Sequence, residues 1–177
     1  MKKTIHWFNL VPDHEDFCRD ALAELSATLK EKYSTAPEIK LERISPSDTA
    51  LLSQLPTFCK RGNVSFALSG QQDAGVFGFC AGDEPFVKDA QSQNSKALWG
   101  AALAGDFALA WKPNNKYLIW HECLHLLFAQ DCYDGQGVTI CEEPQCIMQY
   151  APSEQTCNGD LVLCECSYSR ITRMNAC

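Results

Sequence analysis

The chain has 177 residues, 46% of them hydrophobic, and a formal net charge of −7, which supplies apolar material for the core of one domain. With a pI near 5.0 it offers no basic stripe to neutralise a phosphate backbone, so nucleic acid is not an expected partner. No run approaches the ~20 apolar residues of a membrane helix, and the start, MKKTIHWFNLVPDHED, lacks the apolar stretch and small-residue cleavage site of an export signal; the expected protein is soluble and cytoplasmic.

In chain order, Thr4 to Leu10 (TIHWFNL) reads as a first strand, ended by Pro12-Asp13. Asp13 is placed to cap a helix whose apolar face is Phe17, Ala21, Leu22, Leu25 and Leu29, since those positions recur at helical spacing. Glu38 to Ile44 alternates like a half-buried strand. A short helix is expected from Ser45-Pro46 to Leu55, then strands at Val64 to Leu68, Gly75 to Cys80 and Asp106 to Trp111, with a polar loop around Gln91 to Ser95. A helix from about Asn115 to Ala129 follows, and after it a cysteine-rich segment with little periodicity. This order predicts an α/β (α+β) fold: a twisted mixed sheet packed on an N-terminal helix and a second helix, with an irregular Cys-rich C-terminal part. One compact domain is expected, divided into residues 1–130 and 131–177.

The chemistry concentrates in HECLHLLFAQDCYDG, His121 to Gly135. Positions four apart on a helix share a face, so His121 and His125 can direct both imidazoles at one point and give zinc half of a tetrahedral shell. Glu122, rotated off that axis, can reach a water at the metal and act as general base. A catalytic zinc commonly takes three protein ligands. Asp131, just past the helix, is the best third one; Asp134 is its local competitor, and Glu142 and Glu143 are less suitable because Pro144 and nearby cysteines disfavour a second ligand-bearing helix. H-E-x-x-H arises by chance in roughly one such chain in two hundred, so a plain amphipathic helix with two incidental histidines is the minor alternative.

Eleven cysteines are present, and seven of them, Cys132, Cys141, Cys146, Cys157, Cys164, Cys166 and Cys177, fall after position 131. Without an export signal, clustered thiolates favour metal over disulfides. Cys18, Cys59, Cys80 and Cys123 are expected as small buried apolar residues.

Together these residues resemble the metzincin metallopeptidases, whose motif is H-E-x-x-H-x-x-G-x-x-H or -D. His121, Glu122, His125 and Asp131 occupy the motif positions, with Asp as third ligand as in snapalysin-type members. Phe128 stands where the family has glycine, a position at which a positive φ would cost a side-chain-bearing residue. Within the metzincins the sequence is most similar to archaemetzincins: Asp131-Cys132, then Cys141-x4-Cys146-x-Met148, then Cys164-x-Cys166 where the family has C-x-x-C.

The resemblance implies a catalytic zinc on His121, His125 and Asp131, with Glu122 as base, and Met148 as the methionine of the turn beneath that zinc. It also implies a structural zinc on Cys141, Cys146, Cys164 and Cys166, with Cys132 as the alternative. The implied activity is peptide-bond hydrolysis on a peptide or protein substrate, with the chain between Gly62 and Gly82 adding an extended peptide to its strand edge. The competing readings are a non-catalytic zinc protein with a binding or regulatory role, and a disulfide-stabilised exported protein.

Overall fold

Strand alternation and helical spacing both carry over into three dimensions, in a computed structural model that describes residues 4–9, 14–34, 38–43, 76–80, 86–87, 97–98, 100–103, 107–110, 115–134, 136–150 and 152–175. Strand β1 (Thr4–Asn9) buries Ile5 and Trp7, residues two apart on one face. Helix α1 (Glu15–Tyr33) follows and buries Cys18, Ala21, Leu22, Leu25 and Leu29. Phe17, expected on that face, is 39% exposed; Cys18 takes its place because it completes the three- and four-residue spacing to Ala21 and Leu22. Asp13, the short helix expected before Leu55 and the strand expected at Val64 lie outside the described residues.

Strand β2 (Glu38–Arg43) pairs parallel to β1, and β3 (Val76–Cys80) pairs parallel to β1 on its other side. Beyond β3 come β7 (Phe107–Ala110), parallel, and β6 (Gly100–Leu103), antiparallel to β7, giving a mixed sheet of order β2-β1-β3-β7-β6. β4 (Phe86–Val87) and β5 (Ala97–Leu98) form a separate antiparallel pair. β3 is therefore hydrogen-bonded on both sides; the rest of the chain between Gly62 and Gly82, expected to bind an extended peptide, lies outside the described residues. The described sheet ends at β2 and β6.

Helix α2 (Lys116–Leu126) begins at Asn115, whose side-chain oxygen accepts from the backbone N–H groups of Tyr117 (3.1 Å) and Leu118 (3.3 Å), two of the donors a helix start leaves unpaired. Every residue from Tyr117 to Leu126 is buried, as a helix apolar on most of its circumference should be. It packs on β6, β7 and α1. Its Trp120 indole donates to the Ala21 carbonyl of α1 at 2.7 Å.

The C-terminal segment, expected to be irregular, contains helices α3 (Glu154–Cys157) and α4 (Glu165–Asn175). α3 starts in a capping box between Ser153 and Thr156. The buried positions near α4 are Cys164, Ser167 and Ile171, with Tyr168 packed beside them. That spacing is helical, but it is written in cysteine, serine and tyrosine, which a reading of strongly apolar residues passes over. The Tyr33 hydroxyl accepts from the Leu163 N–H at 2.9 Å, and its ring lies 5.3 Å from that of Tyr168, which ties the end of α1 to the start of α4.

Candidate metal centres

The four-residue spacing on α2 brings the Nε2 atoms of His121 and His125 to 3.2 Å from each other. Each is also 3.2 Å from Oδ1 of Asp131. With metal–nitrogen distances of 2.0–2.1 Å, the edge of a tetrahedral zinc shell is ~3.3 Å; the three atoms form one face of such a tetrahedron. Both histidines turn the other ring nitrogen to a backbone carbonyl, His121 Nδ1 to Ile147 at 2.9 Å and His125 Nδ1 to Ala129 at 2.9 Å. A carbonyl only accepts, so each Nδ1 carries a proton, and Nε2 is the nitrogen that either donates a second proton to Asp131 or, in the neutral ring, presents its lone pair to the shared point. The histidine side chains are 4% and 11% exposed against 40% for Asp131, so the face opens to solvent on the aspartate's side.

The electrostatics follow from that arrangement. Burial works against ionising Asp131, but hydrogen bonds from His121 and His125 outweigh it and hold its carboxyl well below the usual range. For His125 burial opposes the charge, and Asp131 and Glu122 more than restore it, so its pKa is raised. A cation placed among these atoms would take over the charge balance that the imidazoles supply. Glu122, on the neighbouring turn position, is 4% exposed; burial raises its pKa against the opposing pull of both histidines. Its Oε2 is buried with no hydrogen-bond partner among the described residues, so a polar group remains to be satisfied there.

Asp131 reaches the histidines through the turn that ends α2. Ala129 N–H bonds to Leu124 O at 3.0 Å, Phe128 N–H bonds to His125 O at 3.0 Å, and Phe128 has φ 70°. This is a Schellman turn with its left-handed residue at the position glycine usually takes. The phenylalanine thus adopts the glycine conformation instead of building another turn. Asp134 is engaged elsewhere: its Oδ1 accepts from the N–H groups of Gln136 (2.8 Å) and Val138 (2.9 Å). Glu143 likewise accepts from Gln145 N–H at 3.0 Å.

A second group lies on the far side of the same turn. The sulfurs of Cys132, Cys141, Cys146 and Cys164 all fall within 4.8 Å of one another. Cys132 Sγ is 3.6 Å from Cys146 Sγ and 3.2 Å from Cys164 Sγ, near the ~3.8 Å edge of a zinc thiolate tetrahedron with 2.3 Å bonds. Cys164 N–H points at Cys146 Sγ at 3.3 Å. Cys166, expected in this set, is exposed and outside the group of four, though its sulfur is 2.8 Å from that of Cys164; Cys132 stands in its place. Burial opposes the Cys164 thiolate, yet donors at Cys166 and Ser167 bring its pKa down to about 6. Cys132, Cys141, Cys146, Cys157, Cys164 and Cys166 all carry free thiols. Cys123 is fully buried, where burial pushes its thiol up; Cys59 and Cys177 lie outside the described residues.

The fold has a counterpart among solved structures. It resembles that of an archaemetzincin. The crystal structure of archaemetzincin from Methanopyrus kandleri aligns over 97% of this chain and 94% of its own, with a TM-score of 0.51 and 13% identity. No family profile matches the sequence. No curated protein matches it either. The archaemetzincin likeness speaks for the fold; the site rests on the distances above.

Beyond the expected residues, four groups support the two histidines and Asp131. Ile147 and Ala129 do so through their carbonyls, which no side-chain pattern announces. The Tyr133 ring stacks on His121 with centroids 6.4 Å apart; an aromatic two residues past the third ligand was its available signal. Gln130 is held by Ser167 Oγ on its carbonyl (3.3 Å) and by Arg170 on its side chain, so α4 steadies the residue before Asp131. Met148 is fully buried, and its carbonyl accepts from Cys132 N–H at 2.7 Å.

Proposed function

We propose that the chain is a zinc-dependent metallopeptidase, with His121, His125 and Asp131 holding the catalytic ion. What carries the reading is the triangle of two imidazole nitrogens and one carboxylate oxygen, 3.2 Å on each side, with a buried carboxyl one residue along the helix. Bound there, zinc would polarise a scissile carbonyl and acidify a water. Glu122 takes up the water's proton and returns it to the leaving amine. Its burial, which raises its pKa, keeps the protonated form accessible.

The substrate is a peptide or protein segment, laid in extended form along β6. That strand is at the end of the sheet among the described residues and packs on α2, and a free sheet edge binds an added strand through main-chain hydrogen bonds. A structural zinc on Cys132, Cys141, Cys146 and Cys164, with Met148 in the turn beneath the catalytic ion, completes the site. In the same reading residues 1–130 bring the two histidines and Glu122, residues 131–177 bring Asp131 and the thiols, and the enzyme works in the cytoplasm. Among the described residues no helix is long and apolar enough to cross a membrane.

The test is cleavage of a denatured protein substrate by purified protein, read by mass spectrometry. Products that vanish with a chelator and with Glu122→Gln support the reading. A zinc-loaded wild type that cleaves no more than Glu122→Gln overturns it in favour of a non-catalytic zinc protein.

A further inference from the structure

Gly100 opens β6 and faces Ala110 of β7 across the ladder. A Cβ built on it would fall 1.8 Å from Glu122 Oε1, 2.4 Å from Cδ and 3.0 Å from Cγ. These are overlaps, since non-bonded carbon and oxygen atoms stay more than 3 Å apart, and the overlapped atoms belong to the carboxylate itself. Two readings of a glycine in a strand compete: the backbone needs its conformational freedom, or something approaches too closely for a side chain. The described glycines with positive φ are Gly137 and Gly159. Gly100 is not one of them, so the reason is space.

We propose that Gly100 is a positioning residue for Glu122: the volume its missing side chain leaves is the volume the Glu122 carboxylate occupies. The job of that carboxylate rests on the peptidase reading; its position rests on geometry alone. Glu122 is 4% exposed and its Oε2 has no partner among the described residues, so a methyl group on residue 100 would push the carboxylate out of this pose. The sheet edge proposed to carry the substrate and the base proposed to work on it are thus in contact through one residue.

The test is Gly100→Ala, made in the wild-type and Glu122→Ala backgrounds, with urea unfolding midpoints measured on zinc-loaded protein. With Glu122 present, the substitution should lower the midpoint. With Glu122→Ala it should leave the midpoint unchanged or raise it, because glycine is the weaker strand residue. Equal losses in both backgrounds, or failure to fold in both, overturn the inference; folding only when Glu122 is removed supports it. In the active enzyme Gly100→Ala should lower kcat by roughly 10–100-fold, the usual scale for a misplaced catalytic group, at unchanged KM and zinc content. An unchanged kcat overturns it. If no form of the protein cleaves peptides, the peptidase reading fails, and the unfolding midpoints still decide the contact.

Discussion

His121 and His125 present their Nε2 atoms 3.2 Å apart while each Nδ1 is anchored on a different loop carbonyl, Ile147 for one and Ala129 for the other. The two anchors set the proton on Nδ1 and the direction of each ring, as the outer partners of metal-binding histidines do. Elemental analysis of purified, tag-free protein should give about two zinc ions per chain, one for each ligand set. His121→Ala/His125→Ala should bring the count down by one. A count unchanged by the double substitution would remove the histidine site.

Glu122 contributes no atom to the ligand triangle, so the zinc count should not respond to its loss. Glu122→Gln keeps the shape and removes the base, and should lower kcat by ~10²–10⁴ with zinc retained. A loss of zinc in parallel with activity would assign Glu122 to binding instead of proton transfer.

Phe128, at φ 70°, sits where a Cβ is unwelcome. Phe128→Ala and Phe128→Gly remove the same ring, and only the second removes the Cβ. Glycine should be the more stable of the two by ~1 kcal/mol, the reverse of the usual order, in which alanine leads in regular structure. Urea unfolding of both variants checks it, and alanine ahead of glycine would mean that the turn is unstrained.

The thiol set makes a separable claim. Cys132→Ser should cost one zinc per chain and lower the unfolding midpoint, whereas Cys166→Ser should leave the zinc count intact, because Cys166 stands outside the group of four. The opposite pattern would restore Cys166 as the ligand and release Cys132.

The convergence of the two histidines and the aspartate was legible in the sequence because its spacing is local: two histidines one helical turn apart, and an aspartate just beyond the helix end. The cysteine half was less so. Which four of five nearby thiols converge depends on how the loop from Tyr133 to Gln145 folds back, and that fold is set by Asp134 and Glu143 accepting backbone N–H groups, which fixes no distance in advance. β1, α1, β2 and α2 were readable from periodicity. Strand β6 was not, since GAAL carries no alternation, and its edge position follows from pairing with β7. The C-terminal helix hid behind cysteines and serines.

Asp131 and Cys132 are consecutive residues that face different ligand groups, and the consecutive carbonyls of Ile147 and Met148 hold His121 and Cys132. The two centres thus share a two-rung backbone clasp. An ion on the thiols would draw Cys132 and the strand of chain around Met148 together, and with them the aspartate and the histidine anchor of the neighbouring centre. Ordering cost met at one group would not be met again at the other, and the gain would be equal in both directions, so the clasp would make the two centres fill together.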